Sequence, residues 1–495
     1  MGSVGITIPQ EMLDRLHEAT EAVRNSKKTL AFSHIDADGI TALAIVVRFL
    51  EREGVETEWK NVHQINSESI LDVRDTVMEA RPDLVVFSDF GTGQLGLIQT
   101  HIAPIKSVRR IIILDHHLPK KNHGEGRPRE KIIEINPCNH GLSGSADVSG
   151  AGVAFLLAIH LSLENTDLSE LAVVGASGDL QDFYGRGFKG INADIIKLGE
   201  KAGYVSVDKD LTFFGINTRP LPFLLEYATE PYLPGLTGNR DACYAFFENL
   251  RIPMKNSDDT WRTWSDLHDE EKQRAIQGLF HEILQAYDNP RIAKGIVGDV
   301  ISLLHRPLKS EMRNVKEFST LLNACGRNRE PEVGVRICLG HEEAYTRGKT
   351  LLQTHRSNLA QALRRIEEHR YDERRGMYLI DDNETPDTII GIVIGMAQGA
   401  RLVPVDKPVI GVSRNTTGEG PTIKLSGRAR SFLIKKGLNL KEAFVEVAES
   451  LNKQYGETVA EAGGHPMAAG AFVHEIHLEE FLDMTSDRLA KMLAQ

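Results

Sequence analysis

Cysteine is scarce and unpaired: Cys138, Cys243, Cys325 and Cys338 stand far apart, with no CxxC spacing. That excludes a disulfide framework and a cysteine-rich zinc site, and it leads us to expect a soluble, cytoplasmic protein of a reducing compartment. Long apolar runs are missing too. No stretch reaches the roughly 18 uninterrupted apolar residues of a membrane span. The opening MGSVGITIPQEMLDRLHE has no basic head followed by an apolar core, and Ile6 stands where a myristoylation signal needs Ser or Thr, so no membrane partner is expected. An excess of positive charge is also lacking. The formal net charge of −11 excludes a protein that coats nucleic acid by bulk electrostatics. Solenoid repeats and low-complexity tracts are absent. What remains is ordinary globular material: 495 residues, 41% hydrophobic and 26% charged, enough for about two to four domains with buried cores.

The first 200 residues repeat one pattern, a short apolar run ending in polar residues and followed by a helix-like stretch. The runs are TLAFS, DLVVFS, RIIIL and KIIEI, and between the first two lies TALAIVVRFLERE, from Thr41 to Glu53, whose apolar residues suit a helix packed on a sheet. Strands alternating with helices predict an α/β fold with a mostly parallel sheet over residues 1–203. From Tyr204 to about Leu339 the strand alternation disappears and prolines at 220, 222, 231, 234 and 253 punctuate helical segments, so residues 204–341 read as a mainly helical insertion. Residues 342–370 contain helix formers and a single glycine, which predicts a connecting helix of about 40 Å. Residues 371–495 mix types again and predict a smaller α/β domain: MYLID, PVIGVS and TIKLSG read as strands. LNLKEAFVEVAESLNKQYG reads as a helix, with Asn439 as N-cap and Glu442 three residues later.

Acidic and histidine residues follow the first three predicted strands: His34, Asp36 and Asp38 after TLAFS, Asp89 after DLVVFS, and Asp115, His116 and His117 after RIIIL. Carboxyl ends of strands form the ligand edge of an open α/β sheet, so these groups should converge. Gly178-Asp179-Leu180-Gln181-Asp182 adds a further carboxylate, and spacing alone leaves Asp179 and Asp182 both open. Any one aspartate after a strand is most often a helix cap. Four or more at one edge repel each other strongly unless cations neutralise them. Hard oxygen ligands with a few imidazoles suit two divalent ions, manganese foremost with magnesium or cobalt as alternatives, in a hydrolase acting on a phosphodiester or a related phosphoryl compound.

Three other leads fail. HIDADG begins like a calcium loop but has Ile45 where a bidentate Glu is needed, GKT at 348–350 lacks the earlier Walker glycine, and HEEAY at His341 lacks the second zinc histidine. Near the end of the chain, Gly463, Gly464 and His465 in GGHPMAAG allow either a plain turn or an anion site. Ser426 and Arg428 lie in a window from Thr422 to Lys441 that has no Asp or Glu, a second candidate for holding an anion. Asn323 and Arg327 in NACGR give a third, although a helix end capped by Gly326 explains that segment from local chemistry alone.

HIDADGIT, SDFG, DHH and GDLQD in this order, followed by SGRAR and GGHPMAAG, resemble the DHH phosphoesterase superfamily with its DHH-associated second domain. NACGR, the overall size and the insertion resemble the archaeal RecJ-like nucleases of GINS-associated type. The resemblance covers residues 28–200 and 370–480. It implies one metal held by His34, Asp36 and Asp89 and a second held by Asp38, Asp89, His116 and Asp179, with Asp179 favoured over Asp182. Asp115 would orient an imidazole and His117 would face the scissile phosphate. Ser426, Arg428, Gly463, Gly464 and His465 would grip substrate phosphates, helped by Asn323 and Arg327. The expected architecture is a DHH domain and a smaller DHH-associated domain across a cleft, and the expected activity is a metal-dependent, single-strand-specific exonuclease on DNA or RNA in replication or repair. Alternatives are a phosphodiesterase for short oligonucleotides or cyclic dinucleotides, and a replisome scaffold that binds the GINS complex.

Overall fold

The computed structural model describes residues 5–63, 65–119, 130–182, 187–228, 233, 235–287, 295–414 and 422–494. These form two compact units, Met1–Leu351 and Leu352–Gln495, and the boundary falls inside a 28-residue helix, Glu342–His369.

The first unit is built on a five-stranded parallel sheet in the order β2-β1-β3-β4-β5, with β1 at Lys28–Ser33, β2 at Glu56–Asn61, β3 at Leu84–Ser88, β4 at Arg110–Leu114 and β5 at Ile132–Ile135. The four predicted runs are four of these strands. Every residue of β3 is buried, as a parallel sheet covered by helices on both faces requires. Phe32, Phe87, Ile111 and Ile113 pack on one face with Val73, Val77 and Ile98. The edge strand β2, sequence ETEWKN, escaped sequence reading because its side chains alternate between exposed and half-buried and include no apolar run.

Three helices of this unit position the site: α1 at Ala37–Arg52, α2 at Gly150–Leu161 and α3 at Ser169–Gly178. Both α2 and α3 are buried along nearly their whole length, which matches their almost uniformly small and apolar sequences.

Strands do not cease after Tyr204 as expected. An antiparallel pair, β6 at Val205–Leu211 and β7 at Val297–Leu303, brackets the helical insertion. Charged residues in VSVDKDL and VGDVISL hide the alternation. Between them lies a separate core around Trp264, Phe247 and Leu224. Pro231 and Pro234 lie outside the described residues. Helix α4, Val315–Arg327, follows β7 and is tied back to the insertion through Glu317. That fully buried carboxylate accepts hydrogen bonds from Thr218 Oγ1 at 2.9 Å and from the Asn217 N–H at 3.4 Å.

The second unit holds a six-stranded sheet in the order β12-β13-β11-β10-β9-β8. Its strands are β8 at Asp372–Glu373, β9 at Tyr378–Asp381, β10 at Val409–Ser413, β11 at Thr422–Arg428, β12 at Ala460–His465 and β13 at Ala468–His474. The helix Leu440–Tyr455 is capped as predicted, with Asn439 accepting from the Glu442 N–H at 3.2 Å, and its Phe444 packs edge-on against Phe481. Among the described residues, no helix is long and apolar enough to cross a membrane.

Burial pushes the Glu317 carboxyl up to about 7, from an ordinary 4.5. A carboxyl raised in the folded state binds its proton more tightly there than in the unfolded chain. Stability is therefore lost as pH rises from 4.5 to 7, and the cost is complete above 7. Glu317→Gln should thus gain up to about 3 kcal/mol over the parent above pH 7 and nothing below pH 4.5. Denaturant melts at pH 4.5 and 8 check this, and equal differences at the two values would contradict it.

Candidate metal centre

The C-terminal ends of β1, β3 and β4 converge as the sheet topology requires, and they bring His34, Asp36, Asp38, Asp89, Asp115, His116 and His117 to one place together with Asp179, the residue after α3. Three groups of ligating atoms lie within 4.8 Å of one another: His34, Asp36 and Asp89; Asp38, His116 and Asp179; and Asp89, His116 and His117. Asp89 joins the first group to the imidazole of the second. Its Oδ2 lies 3.9 Å from His34 Nδ1 and its Oδ1 lies 3.1 Å from His116 Nε2. His34 Nδ1 is also 2.9 Å from Asp36, while His116 Nε2 is 3.6 Å from Asp38 and 3.3 Å from Asp179. Asp182, the alternative to Asp179, instead pairs with Lys316 at 3.2 Å.

Local backbone chemistry aims each group. Asp36 is the N-cap of α1, accepting from the Gly39 N–H at 3.0 Å, so the common structural role of such an aspartate is filled while its other oxygen faces His34. The Asp38 carboxylate rests on the N-terminus of α2 and accepts from the N–H groups of Gly150 at 2.6 Å and Ala151 at 2.9 Å. Gly175 on α3 makes this possible, because a Cβ there would meet Asp38 Oδ1 at 2.4 Å. Asp89 itself has φ +61, a left-handed conformation that costs a non-glycine residue on the order of 1–2 kcal/mol.

The imidazoles are fixed from behind. His116 Nδ1–H donates to the Gly144 carbonyl at 2.6 Å, which turns Nε2 toward the carboxylates. His117 Nδ1–H donates to Asp115 at 2.7 Å, and the same carboxylate accepts from the N–H groups of His116, His117 and Thr92. Gln181 donates to Gly144 at 2.9 Å and Asp179 at 3.3 Å. Gly144, Gly150, Gly175 and Gln181 were not singled out from sequence. The signal for Gly144 and Gly150 was the run of small residues in SGSADVSGAG, whereas Gly175 and Gln181 stand in GASGDLQD, where only the carboxylates were singled out.

Electrostatics record the crowding. Burial, then Asp38 and Asp36, push the Asp89 carboxyl well above the usual carboxylate range. Burial and Asp38 push Asp179 up to about 7. Burial opposes charge on His116, yet Asp179, Asp38 and Asp115 outweigh it and hold the ring at about 9. Burial opposes charge on His117 as well, and its hydrogen bond to Asp115 carries that ring to about 9. Asp115 is held well below the ordinary value against its burial, chiefly by His117. Such crowding calls for protons or cations among the carboxylates. A buried set of carboxylate oxygens and imidazole lone pairs without thiolates fits hard or borderline divalent ions.

In the second unit, register brings the remaining candidates onto one strip of sheet. Ser426 pairs with Gly470 and Arg428 with Ala468 across β11 and β13, while Gly463 pairs with Gly470 and His465 with Ala468 across β12 and β13. Directly paired residues share a face, so Ser426, Arg428, Gly463 and His465 line one side. Gly464, between them, has φ +127. A Cβ on Gly391, at the start of the helix Ile390–Gly399, would meet the Arg428 guanidinium at 2.6 Å and Ser426 Oγ at 3.3 Å. Asn323 and Arg327 belong to α4 of the first unit. Asn323 Oδ1 accepts from the Ala37 N–H at 3.0 Å, and the positive charge of Arg327 acts on both His34 and Asp36. Gly326 does not cap α4 as local chemistry suggested. It lies inside the helix, which runs to Arg327 with Asn328 as its C-cap.

Three family models match in chain order: the DHH family, N-terminal domain, over residues 28–178, the DHH-CID domain over 213–294, and the DHHA1 domain over 377–491. The chain carries DHH, DHH-CID and DHHA1 domains. It is 26% identical over 491 residues to the uncharacterized protein MJ0831 of Methanocaldococcus jannaschii, covering 97% of this chain and 100% of that one. It is 30% identical over 179 residues to the single-stranded-DNA-specific exonuclease RecJ of Thermus thermophilus, covering 33% of this chain and 24% of the relative. The crystal structure of Thermus thermophilus RecJ with Mn2+ shares the fold at TM-score 0.59 and 18% identity, over 99% of this chain and 56% of that one. CDC45 from Entamoeba histolytica shares it at TM-score 0.61 and 12% identity, over 97% and 99%. The chain thus spans about a quarter of the RecJ relative in sequence and about half of its crystallised chain.

Divalent cations bound among these carboxylates should stabilise the fold. Manganese added to chelator-treated protein at a hundred times its dissociation constant is expected to contribute about 2.7 kcal/mol, read as a rise in melting temperature. Asp89→Asn should lose most of the rise, and an unchanged melting temperature in the parent would contradict the reading.

Proposed function

We propose that this chain is a metal-dependent phosphodiesterase that removes nucleotides stepwise from single-stranded DNA or RNA, in replication or repair. The observation that carries the reading is the divided Asp89 carboxylate, one oxygen toward His34 and the other toward His116. In this reading His34, Asp36 and Asp89 hold one divalent ion, and Asp38, Asp89, His116 and Asp179 hold the other, with manganese foremost. Divalent ions supply Lewis acidity and bring the ionisation of water to neutral pH.

The chain's own groups do the rest. Asp115 fixes the His117 ring through Nδ1, and the half-exposed ring holds its second N–H as a proton donor for the leaving oxygen. Ser426, Arg428, Gly463, Gly464 and His465 bind phosphate through a guanidinium, a hydroxyl, an imidazole and backbone N–H groups. An exonuclease is supported over a phosphodiesterase for dinucleotides by the RecJ relatives and by the insertion with its own core.

The CDC45 likeness favours a second reading, a replication scaffold with GINS as a candidate partner. The complete set of acidic and histidine ligands weighs against a scaffold that has lost its chemistry.

Digestion of 5′- and 3′-labelled single strands with Mn2+ tests the proposal. Asp38→Ala should lower the rate on the order of a thousandfold, and His465→Ala about ten- to a hundredfold, chiefly through KM. Undiminished cleavage by Asp38→Ala would overturn the assignment. No cleavage by the parent, with GINS retained by both proteins, would favour the scaffold.

A further inference from the structure

Asp36 and Asp38 belong to different groups of ligating atoms, and only Ala37 separates them. The position of that one peptide therefore governs both ends of the centre. Ala37 opens α1, so its N–H has no partner within the helix. The Asp36 side chain, which caps the helix, is committed to Gly39. The Ala37 N–H is satisfied from outside by Asn323 Oδ1 on α4, at 3.0 Å. One turn further along α4, Gly326 presses its backbone against the same loop. A Cβ there would lie 1.9 Å from the Ile35 carbonyl oxygen, a distance no side chain tolerates. Residues three apart share a helix face, so Asn323 and Gly326 act together.

The loop is held from its other side as well. Asn61 Nδ2, at the end of β2, donates to the His34 carbonyl at 2.7 Å. The helix that does the clamping is itself fixed: Leu321, Leu322 and Cys325 are fully buried, and Glu317 anchors its first turn to Asn217 and Thr218.

We infer that Asn323 and Gly326 are positioning residues for the metal loop, and that Asn323 does not lie along the substrate path. Asn323 fixes the Ala37 amide and Gly326 sets how closely α4 approaches Ile35, so Asp36 and Asp38 are aimed at their two sites together. The role rests on the metal-dependent reading proposed above and adds a pair of residues whose loss should weaken both sites at once.

The test is Mn2+ binding to the full chain, followed by electron paramagnetic resonance, with melting temperature, hydrogen exchange at the Ala37 amide and oligonucleotide KM measured alongside. Asn323→Leu, which removes the acceptor at similar volume, should weaken both Mn2+ sites about 10–100-fold and speed exchange at Ala37 while the fold still melts cooperatively. Asn323→Asp keeps an acceptor and should restore binding to within a few fold, which a general packing defect would not allow. Gly326→Ala should weaken both sites as well. If it does not fold, the two Asn323 variants decide. A rise in KM for Asn323→Leu with Mn2+ affinity unchanged would overturn the positioning role in favour of substrate contact, and an Asn323→Asp protein as defective as Asn323→Leu would overturn it too. Two Mn2+ bound by the parent with unaffected variants sinks this inference alone, whereas no Mn2+ bound by the parent sinks the metal reading and this role with it.

Discussion

The carboxylate of Asp89 is 2% exposed, sits in a left-handed conformation and turns its two oxygens toward two different imidazoles. Around it stand Asp36, Asp38 and Asp179. Isolated ionised carboxylates in such a place would cost many kcal/mol in lost hydration and mutual repulsion, so the cluster must either take up protons or hold cations. That constraint organises the surrounding architecture. Strand ends deliver the groups, the N-terminus of α2 offers N–H donors to Asp38, and glycines on α2 and α3 leave the space that the carboxylates fill.

A layer of polar contacts behind the cluster converts this tension into fixed directions. Gly144 orients the His116 ring, Asp115 holds His117, and Gln181 bridges Gly144 and Asp179. Each contact uses a group whose partner is within the same unit, so the orientation of the centre is a property of the fold of Met1–Leu351. The candidate strip on the second unit is built by a different device, strand register. Ser426, Arg428, Gly463 and His465 share one side because directly paired positions on three neighbouring strands do.

Much of this was legible in the sequence, where local chemistry carries the signal. The buried strands announced themselves as short apolar runs, and the residues after β1, β3 and β4 followed from the rule that ligands gather at the carboxyl ends of parallel strands. The helix at Leu440–Tyr455 was readable from its cap, and the long helix from its composition. Elements with charged faces were not readable: β2, β6 and β7 carry their polar residues in patterns that an apolar-run criterion passes over. Nor were the roles of residues whose importance is a tertiary contact. Gly326 reads locally as a helix stop, and only the approach of Ile35, almost 300 positions earlier, shows why it is glycine. The choice between Asp179 and Asp182 was of the same kind, since spacing permits either and geometry puts one beside His116 and the other beside Lys316.

Anomalous diffraction at the manganese edge, from crystals grown with Mn2+, tests the two-ion centre most directly. Two peaks about 3.5–4 Å apart, one beside His34 and Asp36, the other beside Asp38, His116 and Asp179, with Asp89 between them, are the predicted result. A single peak, or peaks only away from Asp89, would contradict it.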